Sequence, residues 1–233
     1  MPDRRHAPGF RLVPLGATAS SMVGANTEVV LGRLVDALGE TANLAVLTGS
    51  HAEYVAQVPS RHRMRMFTEV GRQVDLHCTG VGKALLGQLE DDRVREIVRR
   101  VGLSRHTRHT LVTEHDLLAD LARVRSRGYA LDEQEVGVRC VAVPVGPEPT
   151  PWMAVSVSGP VTRMTDELLG RAVPLLHEAA VELRQITEPS GWVTWQGTAR
   201  RSPLGSGVRT DRVRPRRVSQ PWSVPTITAT SFA

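Results

Sequence analysis

The chain is poor in several things, and each shortage removes a class of protein. No run approaches the ~18 consecutive apolar residues that a membrane-spanning helix needs, and the opening MPDRRHAPGF has no apolar stretch behind its charges. Neither a span nor a secretion signal is expected, which points to a cytoplasmic protein. Cysteine is limited to Cys78 and Cys140, with no CxxC pair, so a disulfide framework and a zinc knuckle are both excluded as expectations. Lysine is nearly missing: of 29 basic residues only Lys83 is a lysine. No self-similar period of ~20 to 50 residues is visible, so a repeat architecture is not expected.

What is present suits a soluble globular chain with a real core, since 41% of the 233 residues are hydrophobic and 23% charged. The net charge of +5 is local. Residues 188–233 hold seven arginines against Glu188 and Asp211, which leaves 22 basic and 22 acidic residues in 1–187. The folded part is therefore balanced, and the basic tail, rich in Arg, Ser, Thr, Pro and Gly, is expected to be disordered.

Periodicity outlines the elements. Residues 1–25 are Gly-, Ala- and Ser-rich around the fragment GFRLVPLG, and NTEVVLGRLVDALGE then places Val30, Leu31, Leu34, Val35 and Leu38 at helical spacing ahead of Gly39. Extended segments follow in NLAVLTG, AEYVAQV, RMRMFTEVG and RQVDLHCTG, with Met64 and Met66 alternating against arginines. Helical spacing returns in KALLGQL and DDRVREIVRRVG, and Thr113 with Asp116 reads as a capping box before LLADLARVRSRG. Two more strands, GVRCVAVPVG and WMAVSVSGP, precede a helix from Thr165 to about Thr187, which Pro174 should kink or split, a kink being the expectation. This order describes an α+β domain, an antiparallel sheet flanked by helices.

The most suggestive stretch, HCTGVGKALL, falls short of a phosphate-binding P-loop. His77 stands where the first glycine belongs and Ala84 where the metal-binding hydroxyl belongs. Two readings remain for its glycine turn: exposed N–H groups at a helix start that attract a small anion, or simply a tight turn with Lys83 solvated beside it. Adjacent residues of a regular strand point to opposite faces, so His77 and Cys78 are not expected to share a metal. Ser156 and Ser158 lie on one face of a strand whose other face is apolar, either as solvent-facing residues or as polar anchors of a pocket. No GxSxG elbow surrounds them, which speaks against a serine hydrolase. Asp132, Glu133 and Glu135 in LDEQE read as an acidic turn.

In this order and spacing, LGETANLAVLTG, LHCTGVGKALLGQL, LARVRSRGYALDEQEVGVRCVAVPV and AVSVSGPVTRMT resemble the effector-binding domain of IclR-type bacterial transcriptional regulators, over residues 26–187. The resemblance implies a GAF-like domain that binds a small carboxylate or aromatic-acid effector and assembles as a homo-oligomer or with a paralogous regulator. It carries effector contacts onto Gly80, Val81, Asp132, Cys140, Ser156 and Ser158, with Met64 or Met66 as an apolar wall. It implies no catalytic residue, cofactor or resident metal. Residues 1–25 resemble only the end of the family's winged helix-turn-helix, so DNA would be reached through a missing domain or a partner. The segment around Asp132 is about two residues shorter than the family pattern. From other classes, the residues also allow a small GAF-like enzyme using Cys140 or His77, or nonspecific nucleic-acid binding through the arginine-rich tail.

Overall fold

The apolar stripe of Val30, Leu31, Leu34, Val35 and Leu38 is buried along the first helix, and Gly39, at φ 77°, ends that helix with its N–H on the carbonyl of Val35. A computed structural model describes residues 12–66, 69–133, 137–146 and 152–187, with side chains from Gly24 onward. The helix α1 spans Leu12–Leu38 and so begins well before the expected Asn26. Pro14 does not prevent this because it falls in the first turn, where an N–H has no helical acceptor in any case. The expectations for residues 1–11, for the short segment around 134–136 and for the basic tail 188–233 lie outside the described residues.

Among the described residues six strands form one antiparallel sheet in the order β3-β2-β1-β6-β5-β4. They are β1 Thr41–Thr48, β2 His51–Val58, β3 Gln73–Val74, β4 Ala130–Asp132, β5 Val138–Pro144 and β6 Met153–Pro160. Between β3 and β4 run α2 Gly80–Leu86, α3 Asp91–Val101 and α4 Glu114–Arg127, and α5 Asp166–Thr187 closes the described chain. The α+β reading with helices on an antiparallel sheet therefore holds. Thr113 caps α4 as expected: its hydroxyl accepts the Asp116 N–H and donates to the Asp116 carboxylate.

Three local expectations fail. RMRMFTEVG forms no strand among its described residues; instead Arg163 donates to the Met64 carbonyl and the Thr41 hydroxyl to that of Met66. Side chains, not a neighbouring strand, take up that backbone. RQVDLHCTG contributes only the two residues of β3 before turning into α2. The acidic turn is in part a strand, because Gly128, at φ 80°, ends α4 and lets Ala130–Asp132 pair with Ala142–Cys140. Pro174 does not split α5, which runs as one helix from Asp166 to Thr187 with the proline inside it.

The sheet is covered on both faces by different cores. On one side α1 and α5 pack over Leu44, Val141, Val143, Val155 and Val157. On the other, α2 packs over Ala45, Ala52, Ala130, Ala142 and Ala154, with α4 against α2 and α3 against α4. Small side chains on this second face let α2 come close, and it is there that the candidate site lies.

Candidate functional site

Strand register gathers the polar residues of the second face into two rows. Asp132 pairs with Cys140, Cys140 with Ser158, and Ser158 with Thr41. One step along, Ala142 pairs with Ser156, Ser156 with Asn43, and Asn43 with Gln57. Because strands lie ~4.8 Å apart, each row sets its side chains within reach of one another. All of the expected strand residues are buried: Asp132 at 2% exposure, Cys140 at 6%, Ser156 at 0% and Ser158 at 5%. The option of solvent-facing serines is thereby removed.

The glycine turn lies on these rows. A Cβ placed on Gly80 would come 2.9 Å from the Cys140 sulfur, so the α2 backbone rests directly on that side chain. A Cβ on Gly82 would meet the Leu76 carbonyl oxygen at 2.4 Å, which no backbone-preserving shift relieves. Both glycines are thus required by close approach. Thr79 secures the turn by donating to the Asp75 carbonyl and accepting the Gly82 N–H. With the Gly82 donor occupied and α2 only seven residues long, the N–H groups left to a ligand are those of Gly80 and Val81, which precede the helix's own hydrogen bonds. Val81 contributes by its backbone alone, since its side chain is fully buried in the core beneath.

Lys83 is not solvated. Its side chain is 4% exposed, and its Nζ stands 3.2 Å from Asp120 Oδ2 while Arg123 bonds the other oxygen at 3.0 Å. Deleting one partner of such a buried pair typically costs about 3–5 kcal/mol, so the single lysine of the chain anchors α2 on α4.

The two methionines separate. Met64 is 74% exposed, which contradicts its expected place in the wall, whereas Met66 is half-buried with its carbonyl held by Thr41. The segment carrying them is tied at several points. Glu40, 2% exposed, takes both the Nε and Nη2 donors of Arg163, and its carboxylate holds the Arg163 guanidinium above the ordinary arginine range. Gly159 is needed there because a Cβ would collide with the Glu40 carboxylate.

Sequence reasoning passed over Asn43 and Gln57. Gln57 donates to Asn43 Oδ1 at 2.9 Å, and Asn43 in turn donates to the Ser158 hydroxyl at 3.3 Å. The signal was available: an asparagine alternating with Leu44 at the head of a strand sits on the face opposite the leucine. One group is left over. The Ser156 hydroxyl is buried without a hydrogen-bond partner among the described residues.

Two cavities lie elsewhere. One of about 640 Å³ is lined by residues including Asp75, Cys78, Thr79 and His106, and one of about 370 Å³ by residues including Lys83, Asp120 and Arg127. None of the expected effector residues lines either of them. The polar rows are buried beneath α2, whose backbone lies against Cys140.

The profile described as "Bacterial transcriptional regulator IclR C-terminal" matches residues 16–185, most of the chain. The chain belongs to the IclR family. The transcriptional repressor IclR of Escherichia coli (strain K12) is 38% identical over 159 residues, covering 66% of this chain and 58% of that relative. The chain thus spans under two thirds of that relative's length, and likewise of the acetate operon repressor of Salmonella typhimurium. Among solved structures, the C-terminal domain of the E. coli regulator KdgR superposes with a TM-score of 0.63 at 30% identity, over 71% of this chain and 98% of that one. The inducer-binding domain of PobR from Acinetobacter, a double mutant solved with 3-hydroxybenzoic acid, superposes with a TM-score of 0.62 at 30% identity, over 68% and 95%. These neighbours bear out the GAF-like fold. Family membership places the chain with transcription regulators and not with enzymes, so Cys140 and His77 have no catalytic assignment. No helix among the described residues is long and apolar enough to cross a membrane.

Proposed function

We propose that this IclR-type domain senses a small organic acid at the group formed by Gly80, Val81, Asp132, Cys140, Ser156 and Ser158. The observation that carries the reading is the Ser156 hydroxyl. A buried polar group without a partner costs about 1–3 kcal/mol, a cost that a bound ligand or water relieves, and of the unpartnered side-chain atoms among the described residues only that of Ser156 belongs to this group. An acid seated under the glycine turn supplies it: the Gly80 and Val81 N–H groups face its carboxylate, Ser156 and Ser158 donate to its oxygens, and Asp132 accepts from a hydroxyl on it. Met66 remains the candidate for the apolar wall. No bond is made or broken.

Because these groups are closed over by α2 in the structure described, entry of a ligand requires α2 or the segment 60–66 to move relative to the sheet. That requirement turns occupancy into a change of shape, and a ligand shifts such an equilibrium by its difference in affinity for the two states. In the reading offered, the shape change alters the arrangement of a homo-oligomer, or of a complex with a paralogous regulator, and through it the spacing of cytoplasmic DNA-binding domains. DNA is reached through the winged helix-turn-helix of the full regulator or of its partner. The domain assignment proposed is an effector domain over residues 26–187, preceded by the end of a DNA-binding unit and followed by a basic tail.

The test is a thermal-shift and calorimetric screen of short 2-oxo acids, hydroxy acids and hydroxybenzoates against the full chain and its Ser156→Ala and Ser158→Ala variants. At least one acid should raise the Tm of the unsubstituted chain and lose ten-fold or more in affinity in both variants. No shift with any acid, or equal shifts in all three proteins, would overturn the reading.

A further inference from the structure

The strand geometry that kept His77 and Cys78 on opposite faces does not exist here. Both residues lie in the turn between β3 and α2, where the backbone reverses and the two side chains converge. They meet a third residue that no sequence spacing would suggest. One ring nitrogen each from His77 and His106 and the Cys78 sulfur all lie within 4.8 Å of one another.

The surroundings of the two histidines are those of metal ligands. His77 Nε2 stands 2.9 Å from the Ser104 carbonyl oxygen, and His106 Nε2 stands 2.8 Å from Asp75 Oδ2. Neither oxygen can donate, so each Nε2 carries a proton, and in the neutral imidazole each Nδ1 is left with the lone pair that a metal takes. A histidine whose outer N–H is held by a carbonyl or a carboxylate is oriented and made more basic, the usual support for a zinc-bound imidazole. The remaining parts are also present. Cys78 is 6% exposed and forms no disulfide, and Asp75, Cys78 and His106 line the cavity of about 640 Å³, which supplies an entry path and room for a fourth ligand.

We propose that His77, Cys78 and His106 bind a divalent thiophilic metal ion, with Zn(II) the ion their donor set fits. Binding exchanges the Cys78 thiol proton for the metal, so one proton is released per ion, and the fourth position is filled by water. Zinc–nitrogen bonds of ~2.1 Å and a zinc–sulfur bond of ~2.3 Å require the three donors to close by roughly 1 Å. That closure links the lead-in to α2 with the loop between α3 and α4. The site uses none of the residues assigned to the effector, so it stands or falls separately from the acid-sensing reading.

The probes are Zn(II) and Co(II) alone, added to full-length protein stripped with a chelator and kept reduced. The expected result is one equivalent of Zn(II) surviving gel filtration, and a Co(II) adduct showing tetrahedral visible bands with a near-ultraviolet thiolate-to-cobalt band. Cys78→Ser should abolish the thiolate band. His106→Ala should lower Zn(II) affinity more than ten-fold, and Asp75→Asn, acting through His106, by about 10- to 100-fold. His106 is half-exposed, so its variant tests the site without a loss of folding, which circular dichroism checks. Failure to retain metal, a thiolate band that survives Cys78→Ser, or unchanged affinity in His106→Ala would each overturn the assignment.

Discussion

On the α1 and α5 side the sheet presents Leu44, Val141, Val143, Val155 and Val157, whereas on the α2 side the same strands present Asn43, Cys140, Ala142, Ser156 and Ser158. The two faces are equally buried and differ in what the burial does. Large aliphatic side chains remove apolar surface from water and fill volume at little risk, so the first face holds the domain together. The second face gives up side-chain volume for close approach by α2 and carries polar groups whose satisfaction is incomplete. Both faces contribute apolar core, and in the function proposed above recognition belongs to the α2 side alone.

This contrast can be tested by substitution. The largest effect is expected from Leu176→Ala in α5, a fully buried side chain of the aliphatic core, which should lower unfolding free energy by about 2–5 kcal/mol in denaturant titrations and leave acid binding intact in the surviving folded fraction. Ser156→Ala on the opposite face should do the reverse. Removing an unpartnered buried hydroxyl should leave stability unchanged or raise it by about 1 kcal/mol, while acid binding is lost. A destabilisation comparable to that of Leu176→Ala would mean that both faces serve stability alike. The smallest effect concerns His177, half-buried against Gly128, where burial holds the imidazole below its usual pKa of 6.5. The unfolded chain then binds the proton more readily, so this contribution is complete above pH ~6.5 and is lost as pH falls through the depressed folded value. The denaturant midpoint should therefore decline on acidification through that window, and the decline should be shallower in His177→Gln.

Legibility in the sequence followed the length scale of the physics. The stripe of α1, the Thr113 cap and the alternation of AVSVSGP were readable because helix and strand periods are properties of neighbouring residues. Met64 was misplaced for the same reason. Its alternation with arginines imitates a strand, but Arg163, 99 residues away, takes the Met64 carbonyl out of any ladder. Asp132 was read as part of a turn because a three-residue strand has too little sequence to show a period, and its existence depends on pairing with β5. Lys83 looked solvated until α4 brought Asp120 against it.

By itself, the sequence determined which residues are apolar and at what period, and hence the helices, most of the strands and the resemblance to IclR-type effector domains. Each of these depends on covalent order and local sterics. Only the tertiary structure decided that Cys140 lies under Gly80, that Asn43 completes the hydroxyl row, that Ser156 lacks a partner, and that His106 comes within metal-binding reach of His77 and Cys78. Those facts depend on strand register and on the path of a loop, which are set by the free energy of packing the whole chain and leave no trace in local order.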